Sequence, residues 1–204
     1  MKRFNKKSAI QVFSAALILA LSLGVQAKTL VGSRGSSRTY IKTADDGLSM
    51  RSLRKVGVGM SVAGASGFAG VDIEMNFTDA VSGSLGFGLG EGFQTLTFKI
   101  KKFVSSGSFL AYVAGGYSRW YTTSENGSMN KTNPEVLAQK FLSDKEKREG
   151  KFAENFLFPA AGIQYMQLDG EYAGTTIYAE VLMLVDIDDF VSAPAGGIGL
   201  QYFF

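Results

Sequence analysis

The sequence predicts an all-β fold: an eight-stranded antiparallel up-and-down transmembrane β-barrel with one long loop that contains a short helix. Three observations lead to this prediction. The chain begins with the features of an export signal, eight later segments alternate between apolar and polar residues, and no apolar stretch after residue 27 is long enough for a membrane helix. Only helices and closed barrels satisfy every backbone N–H and C=O group in lipid, so strands that cross a membrane must close into a barrel.

Residues 1–27 have the three parts of a cleavable signal peptide. Four basic residues precede an apolar run over residues 15–25, and residues 25–27 (Val-Gln-Ala) are small or apolar at the positions that a signal peptidase reads. The apolar run is shorter than the roughly 20 residues of a spanning helix, which disfavours the alternative of an uncleaved anchor. We therefore expect the mature chain to begin at Lys28.

The basic character of the whole chain comes from this signal. The chain has 21 Lys and Arg residues and 18 Asp and Glu residues. Removing the four basic residues of the signal, which has no acidic residue, leaves 17 basic and 18 acidic residues in the mature chain. A nearly neutral mature chain gives no support for nucleic acid as a partner.

Eight segments of the mature chain are predicted to be strands. They lie near residues 56–62, 71–77, 81–89, 95–101, 108–120, 157–165, 176–185 and 197–204. In most of them one face is apolar and the other carries glycine, hydroxyl or charged residues, as where Ile73 and Met75 alternate with Asp72 and Glu74. The segment 108–120 has two similar faces, so its phase stays unassigned.

Alternation alone also fits a soluble sandwich, but three features favour a barrel. The number of strands is even, which returns the last strand to the side of the first. The connections are short on one side, whereas the other side has two tight turns and the long loop 122–154. Aromatic residues gather at both sets of strand ends, as in the two girdles of a spanning barrel. One set contains Phe77, Phe103, Tyr165, Tyr202 and Phe204, and the other contains Phe68, Phe87, Phe93, Trp120, Tyr121, Phe156 and Phe158.

The chain is predicted to divide into a signal peptide (1–27), a flexible periplasmic arm (28–53) and the barrel (54–204). The arm is rich in Ser and Gly, although a plug inserted into the lumen or an extra strand at 39–42 also fits. In the long loop, Asn133 as N-cap, Pro134 at the first position and Gly150 as the end predict one helix. We expect its apolar stripe to dock on the barrel rim; a receptor, adhesion or lipopolysaccharide contact is the alternative.

The residue types exclude most catalytic chemistry. The chain contains no His and no Cys, so it cannot build a Ser–His or Cys–His nucleophile, and soft metal sites lack their ligands. Asp72 and Glu74 share a face and could in principle act as an acid–base pair, but like charges on a lumen wall more often belong to a salt-bridged interior. We predict that the protein is not an enzyme and has no catalytic residue, cofactor or metal.

Strand alternation directs five charged side chains into the lumen. These are Asp72, Glu74, Lys99, Lys101 and Glu180. An unpaired buried charge is costly, so we expect a network in which Glu74 or Glu180 lies within salt-bridge reach of Lys99 or Lys101. An eight-stranded barrel is just wide enough for side chains to fill it, so such a network would plug the lumen.

Residues 196–204 (GGIGLQYFF) resemble the terminal strand of bacterial outer-membrane barrels, which ends in Phe with an apolar or aromatic residue at every second position before it. Together with the short turn at 76–79 (NFTD), this strand makes the chain resemble the small eight-stranded OmpA/OmpX/OmpW-like class. The chain stops at the barrel, so the peptidoglycan-binding domain of OmpA is not expected.

The resemblance implies a location in the outer membrane, with its lipid and lipopolysaccharide as partners. It also implies that the barrel-assembly machinery reads Ile198, Leu200, Tyr202 and Phe204. We expect a monomer. Two functions fit these observations: a structural or surface-interaction barrel with a closed lumen, or a narrow channel or OmpW-like conduit for small apolar molecules. The second would need an uncompensated polar lining or a lateral opening.

Overall fold

The structure is a computed structural model, and it describes residues 44–122, 129 and 131–204. The predicted signal peptide and residues 28–43 of the predicted arm lie outside the described residues. No helix of the described part of the chain is long and apolar enough to cross a membrane.

Eight strands close into one antiparallel barrel. They are β1 (Val56–Ala63), β2 (Ala69–Asn76), β3 (Val81–Leu89), β4 (Gln94–Phe103), β5 (Phe109–Tyr121), β6 (Ala153–Met166), β7 (Thr175–Asp186) and β8 (Ser192–Phe203). Each strand pairs with its neighbours in sequence, and β8 returns to pair with β1, where Gly57 lies opposite Phe203 and Ala63 opposite Gly197. The predicted eight-stranded up-and-down barrel is confirmed.

The strands form because their residues alternate between two environments. In β4, four polar side chains on one face are buried, whereas Leu96, Phe98 and Ile100 on the other face are 45–47% exposed. The structure also settles the phase of β5, in which Tyr112 and Trp120 point inward. Polar residues inside and apolar residues outside are the pattern of a barrel with lipid around it.

The two ends of the barrel differ. At the proximal end, where β1 begins and β8 ends, the connections are 77–80, 104–108 and 167–174; at the distal end they are 64–68, 90–93, 122–152 and 187–191. The long distal connection contains a π-helix (Leu137–Phe141) and a short helix, α2 (Asp144–Glu149). A third element, α1 (Gly47–Leu53), precedes β1.

The prediction of a single helix from Asn133 to Gly150 is wrong, because this segment contains two helical elements. Leu142 has an extended backbone and separates the π-helix from α2. Ser143 caps α2 by accepting a hydrogen bond from the Glu146 backbone N–H, while the Glu146 side chain accepts one from Ser143 in return, as in a capping box. Gly150 ends α2 in a left-handed conformation, as predicted.

Residues 44–53, which the sequence predicts to be the end of a flexible arm, contain helix α1. The Asp46 side chain caps α1 by accepting a hydrogen bond from the Ser49 backbone N–H at 2.7 Å, and this hydrogen bonding lowers the pKa of Asp46. Met50 is fully buried in a cluster with Phe203. Helix α1 therefore packs against the barrel interior, and the alternative of a plug describes these residues better, because their apolar side chains find partners there.

Candidate functional site

The candidate site is the interior of the barrel, and its most deeply buried charge is Glu74. This residue is fully buried on β2. Its Oε2 lies 2.6 Å from Lys101 Nζ, and its Oε1 lies 2.8 Å from Arg51 Nη2. Ser82 Oγ donates a further hydrogen bond to Oε1 at 2.7 Å. Glu74 thus has two cationic partners and a hydroxyl donor, which compensates for the loss of water around it.

Glu180, on β7, forms the second ion pair with Lys99, on β4. Lys99 Nζ donates to Glu180 Oε1 at 2.8 Å and to Oε2 at 2.9 Å. The Tyr112 hydroxyl donates to Oε2 at 2.9 Å. This pair crosses the lumen, since β4 and β7 are not neighbours in the barrel.

Asp72 is the predicted network residue that the structure leaves outside the ion pairs of the described residues. Its Oδ2 accepts a hydrogen bond from Gln201 Nε2, which also donates to Glu74 Oε2 at 3.2 Å. Its Oδ1 is buried without a hydrogen-bond partner. The structure therefore brings four of the five predicted charges into two ion pairs and connects Asp72 to them through an amide.

Arg51 belongs to the same site, and the sequence reasoning missed it. Its guanidinium lies 3.9 Å from the centre of the Phe103 ring and 5.2 Å from that of Phe203, and it donates to both Glu74 and Asn76. The side-chain amide of Asn76 donates back to the Arg51 carbonyl at 3.2 Å. The signal that could have revealed Arg51 is the helix start at Asp46, which brings it inward on the same helix as Met50.

The connection between β1 and β2 turns into the lumen instead of standing outside as a tight distal turn. Its 3-10 helix (Gly64–Ser66) places the Ala65 carbonyl where three strand side chains donate to it. The donors are Thr97 Oγ1 at 3.1 Å, Ser118 Oγ at 2.9 Å and Trp120 Nε1 at 3.1 Å. Residues 64–66 therefore form a layer across the barrel, which we call the Ala65 layer.

Space for this inturned layer depends on a glycine of β3. A Cβ atom on Gly88 would lie 2.1 Å from the Ser66 carbonyl oxygen and 2.4 Å from Thr95 Oγ1. A side chain at position 88 would therefore collide with the backbone of the inturned connection.

The distal part of the lumen is an apolar cluster, which corrects the predicted aromatic girdles. Trp120 stacks on Phe93 with ring centres 5.2 Å apart and meets Phe156 edge-on at 5.3 Å. Phe141, from the π-helix, contacts Phe156 at 4.7 Å. The girdle assignment is wrong for the buried rings Phe93, Phe103, Trp120, Phe156 and Phe158. It fits the exposed rings Phe68, Phe77, Phe87, Tyr165 and Phe204.

The long connection docks its apolar side chains into this cluster. Leu137, Phe141 and Leu142 are all buried there. Helix α2 has no buried residue and presents its charged side chains to solvent. The apolar side chains of the long connection therefore pack inside the distal end of the barrel and not on its outer rim.

A cavity with room for about one water molecule lies between the inturned connection and the ion pairs. Its polar lining includes Ser61, Ser66, Asp72, Lys99 and Glu180. Asp72, whose Oδ1 has no hydrogen-bond partner, is one of the residues that line this cavity.

Three carboxylates gather at the distal end. Oxygen atoms of Glu154, Asp186 and Asp188 lie within 4.8 Å of one another. Such oxygens suit a hard cation, but acidic clusters without a bound ion are common, so the cluster alone assigns no metal to the protein.

The terminal strand presents the predicted assembly residues on its outer face. Ile198 is 61% exposed and Leu200 45% exposed. Arg54 donates hydrogen bonds to the Tyr202 hydroxyl at 3.2 Å and to the Phe203 carbonyl at 2.7 Å. The segment before β1 is thus tied to β8 across the seam of the barrel.

Comparison with known proteins gives matches at the level of structure. No family model matches the sequence, and no curated protein matches it. The N-terminal β-barrel domain of Pseudomonas aeruginosa OprF is 13% identical with a TM-score of 0.52, over 74% of this chain and 98% of that one. The Yersinia pestis outer membrane protein Ail, in a phospholipid bilayer nanodisc, is 13% identical with a TM-score of 0.37, over 74% of this chain and 99% of that one. The match to the OprF domain shows that this chain is similar in fold to that β-barrel domain.

Proposed function

We propose that the protein is a non-enzymatic barrel of the bacterial outer membrane, with a closed lumen and a structural or surface-interaction role. The observation that carries this proposal is the filling of the lumen at several levels. Arg51 on α1 fills the proximal end, the two ion pairs cross the middle, and the Ala65 layer and the aromatic cluster fill the distal part.

The outer surface supports the membrane location. Large apolar side chains on all eight strands are about half exposed or more, among them Ile73 57%, Leu85 59%, Phe98 47%, Ile163 60%, Val181 68% and Ile198 61%. A band of this kind is unfavourable in water, because burying apolar surface is worth about 25 cal/mol per Å². In lipid the same band is the ordinary surface of a barrel.

The partners follow from this location. Outer-membrane lipid and lipopolysaccharide would contact the outward face, and the barrel-assembly machinery would read Ile198, Leu200, Tyr202 and Phe204 before insertion. We propose a monomer, because a closed barrel leaves no unpaired strand edge for a second copy. The long connection and α2 would meet the medium outside the cell, where α2 offers exposed charges for surface contacts.

Conductance of the refolded mature protein in a planar bilayer tests the closed lumen. We expect no measurable single-channel current in salt solution, because the ion pairs and the Ala65 layer leave little continuous space. Insertion is verified separately by protection from protease in vesicles, so that an absence of current cannot result from a failure to insert. Regular current steps from the inserted protein would contradict the closed lumen.

A narrow channel is the second candidate, and one observation favours it. Asp72, whose buried Oδ1 lacks a hydrogen-bond partner, lines a polar cavity together with Lys99 and Glu180, so the charges in the middle of the lumen are not fully compensated. A conduit for small apolar molecules is favoured less, because the distal apolar interior is filled by Phe141 and Leu137. The conductance measurement separates the channel from the closed barrel.

A further inference from the structure

The turn between β7 and β8 (residues 187–191) exposes two large apolar side chains. Phe190 is 78% exposed and Ile187 is 39% exposed. The Phe190 backbone has a φ of 59°, in the left-handed region that is strained for a bulky side chain. A phenylalanine that is both strained and exposed is unfavourable in water, so this position calls for an explanation from its surroundings.

Three hydrogen bonds hold the turn in this conformation. The Asp186 backbone N–H donates to the Val191 carbonyl at 2.9 Å. Asp186 Oδ1 accepts from the Asp188 N–H at 2.8 Å, and Asp189 Oδ1 accepts from the Val191 N–H at 3.0 Å. Strained conformations persist where the surrounding structure fixes them, and they are concentrated at functional positions. This turn is therefore built to hold the Phe190 side chain rigidly outward.

The level of Phe190 along the barrel follows from β7. The outward apolar face of this strand begins at Ile177, includes Val181 and Met183, and continues to Ile187. The ten steps from residue 177 to residue 187 cover roughly 33 Å along the strand, or about 25 Å along the axis at a tilt near 40°. This length equals the height of the apolar band of an outer-membrane barrel, about 25 Å. The register that pairs Val185 with Ser192, continued into the turn, places Phe190 opposite Ile187 and therefore at the distal edge of this band. Aromatic rings at the edge of an apolar band are typical of the lipid headgroup region.

We propose that Phe190 is a rigid interfacial anchor that docks on the outer leaflet of the membrane and fixes the depth of the distal end. The inference rests on the proposed membrane location and adds to it the surface that this turn binds. Asp188 and Asp189, exposed in the same turn, would remain on the aqueous side of the ring. The ring would enter the interface with little further loss of conformational entropy in the turn, because three hydrogen bonds already fix the turn.

Site-directed fluorescence tests the proposal, and the chain is suited to it because it has no Cys. F190C is labelled with bimane and inserted into phosphatidylcholine vesicles that contain a lipid with a nitroxide either near its headgroup (shallow) or far down its acyl chain (deep). V181C, near the middle of the outward apolar face of β7, is the control for contact with lipid chains. E91C, exposed in the connection between β3 and β4, is the control for contact with water.

We expect the label at position 190 to be quenched by the shallow nitroxide and to be several-fold less sensitive to aqueous iodide than the label at position 91. The label at position 181 should be quenched by the deep nitroxide. The anchor proposal is overturned if position 190 behaves like position 91 while position 181 responds to the lipid nitroxide. Phe190 would then face solution and be free for a protein partner. If position 181 also fails to respond, the membrane location itself is wrong.

Discussion

Replacing Lys99 with Met should destabilise the barrel more than replacing Lys101 with Met, although Lys101 is the more deeply buried of the two. Among the ion pairs of the described residues, Lys99 alone serves Glu180, whereas Glu74 contacts both Lys101 and Arg51. The first substitution leaves a buried carboxylate without a cation, and the second leaves one cation in place.

The magnitudes follow from these contacts. Removing one member of a buried ion pair costs about 3–5 kcal/mol. Since Tyr112 continues to donate to Glu180 at 2.9 Å, we expect a loss at the lower end, about 3 kcal/mol, for K99M. K101M removes one charged hydrogen bond from a carboxylate that keeps Arg51 and Ser82, so we expect a loss of about 1.5–2 kcal/mol. In the double variant K99M/E180Q the orphaned charge is gone, and the loss should fall below that of K99M alone.

Urea unfolding of the protein refolded in lipid vesicles measures these losses. Trp120 is the single tryptophan of the chain and is fully buried in the distal cluster, so its fluorescence reports global unfolding. A native-like spectrum for each folded variant is the control for correct assembly. The reasoning is refuted if K99M is no less stable than K101M, or if K99M/E180Q is less stable than K99M. A water-filled lumen, in which either charge is solvated, would then be the better account.

Four further predictions rest on separate features. Gly88→Ala should cost about 1–3 kcal/mol in the same urea assay, because its Cβ would meet the Ser66 carbonyl at 2.1 Å, whereas Gly115→Ala, with open space around it, should be nearly neutral. Asp46→Ala should remove the cap of α1 at a cost of about 1 kcal/mol at neutral pH. Because the pKa of Asp46 is lowered on folding, its contribution is complete above the unfolded pKa of about 3.9 and is lost as the pH falls through the lower folded value, so D46A and the parent should converge in acid. Deleting Phe204 should reduce the amount of protein in the outer-membrane fraction while leaving the urea midpoint of the refolded barrel nearly unchanged; normal amounts at native expression would contradict a role in assembly. N-terminal sequencing of protein from the outer-membrane fraction should begin at Lys28, and a soluble periplasmic product would argue against the membrane location.

The sequence predicted the strands and the lumen charges because both depend on a local rule. Side chains alternate along a strand, so the phase of Ile73 and Met75 fixes the side on which Asp72 and Glu74 lie. This rule gives no information about the distances between side chains on different strands. It could not decide that Lys99 pairs with Glu180 across the lumen while Lys101 pairs with Glu74, because this choice depends on register and closure.

The errors have identifiable physical causes. Phe156 and Phe158 have the same parity as Gln164, so strand alternation places them inside. Their position near a strand end suggests a girdle instead, and the two criteria disagree for these residues. Trp120 lies on β5, whose two faces are too similar for the pattern to separate. Arg51 was missed because composition suggested a flexible arm, and a short helix that is stabilised by the barrel interior leaves only a cap in the sequence.

The order of the layers along the barrel axis explains how charged and apolar side chains can both be buried in a narrow lumen. The ion pairs lie between α1 on the proximal side and the Ala65 layer on the distal side, so they are withdrawn from water at both openings, where each attraction is stronger than in solution. The same withdrawal makes each charge costly if its partner is lost. The apolar cluster needs no partners and is placed distally, where the long connection supplies Leu137 and Phe141 as its cover. The filling of the lumen therefore comes from several layers that share few residues. Loss of one ion pair should weaken the barrel without removing the layers on either side of it.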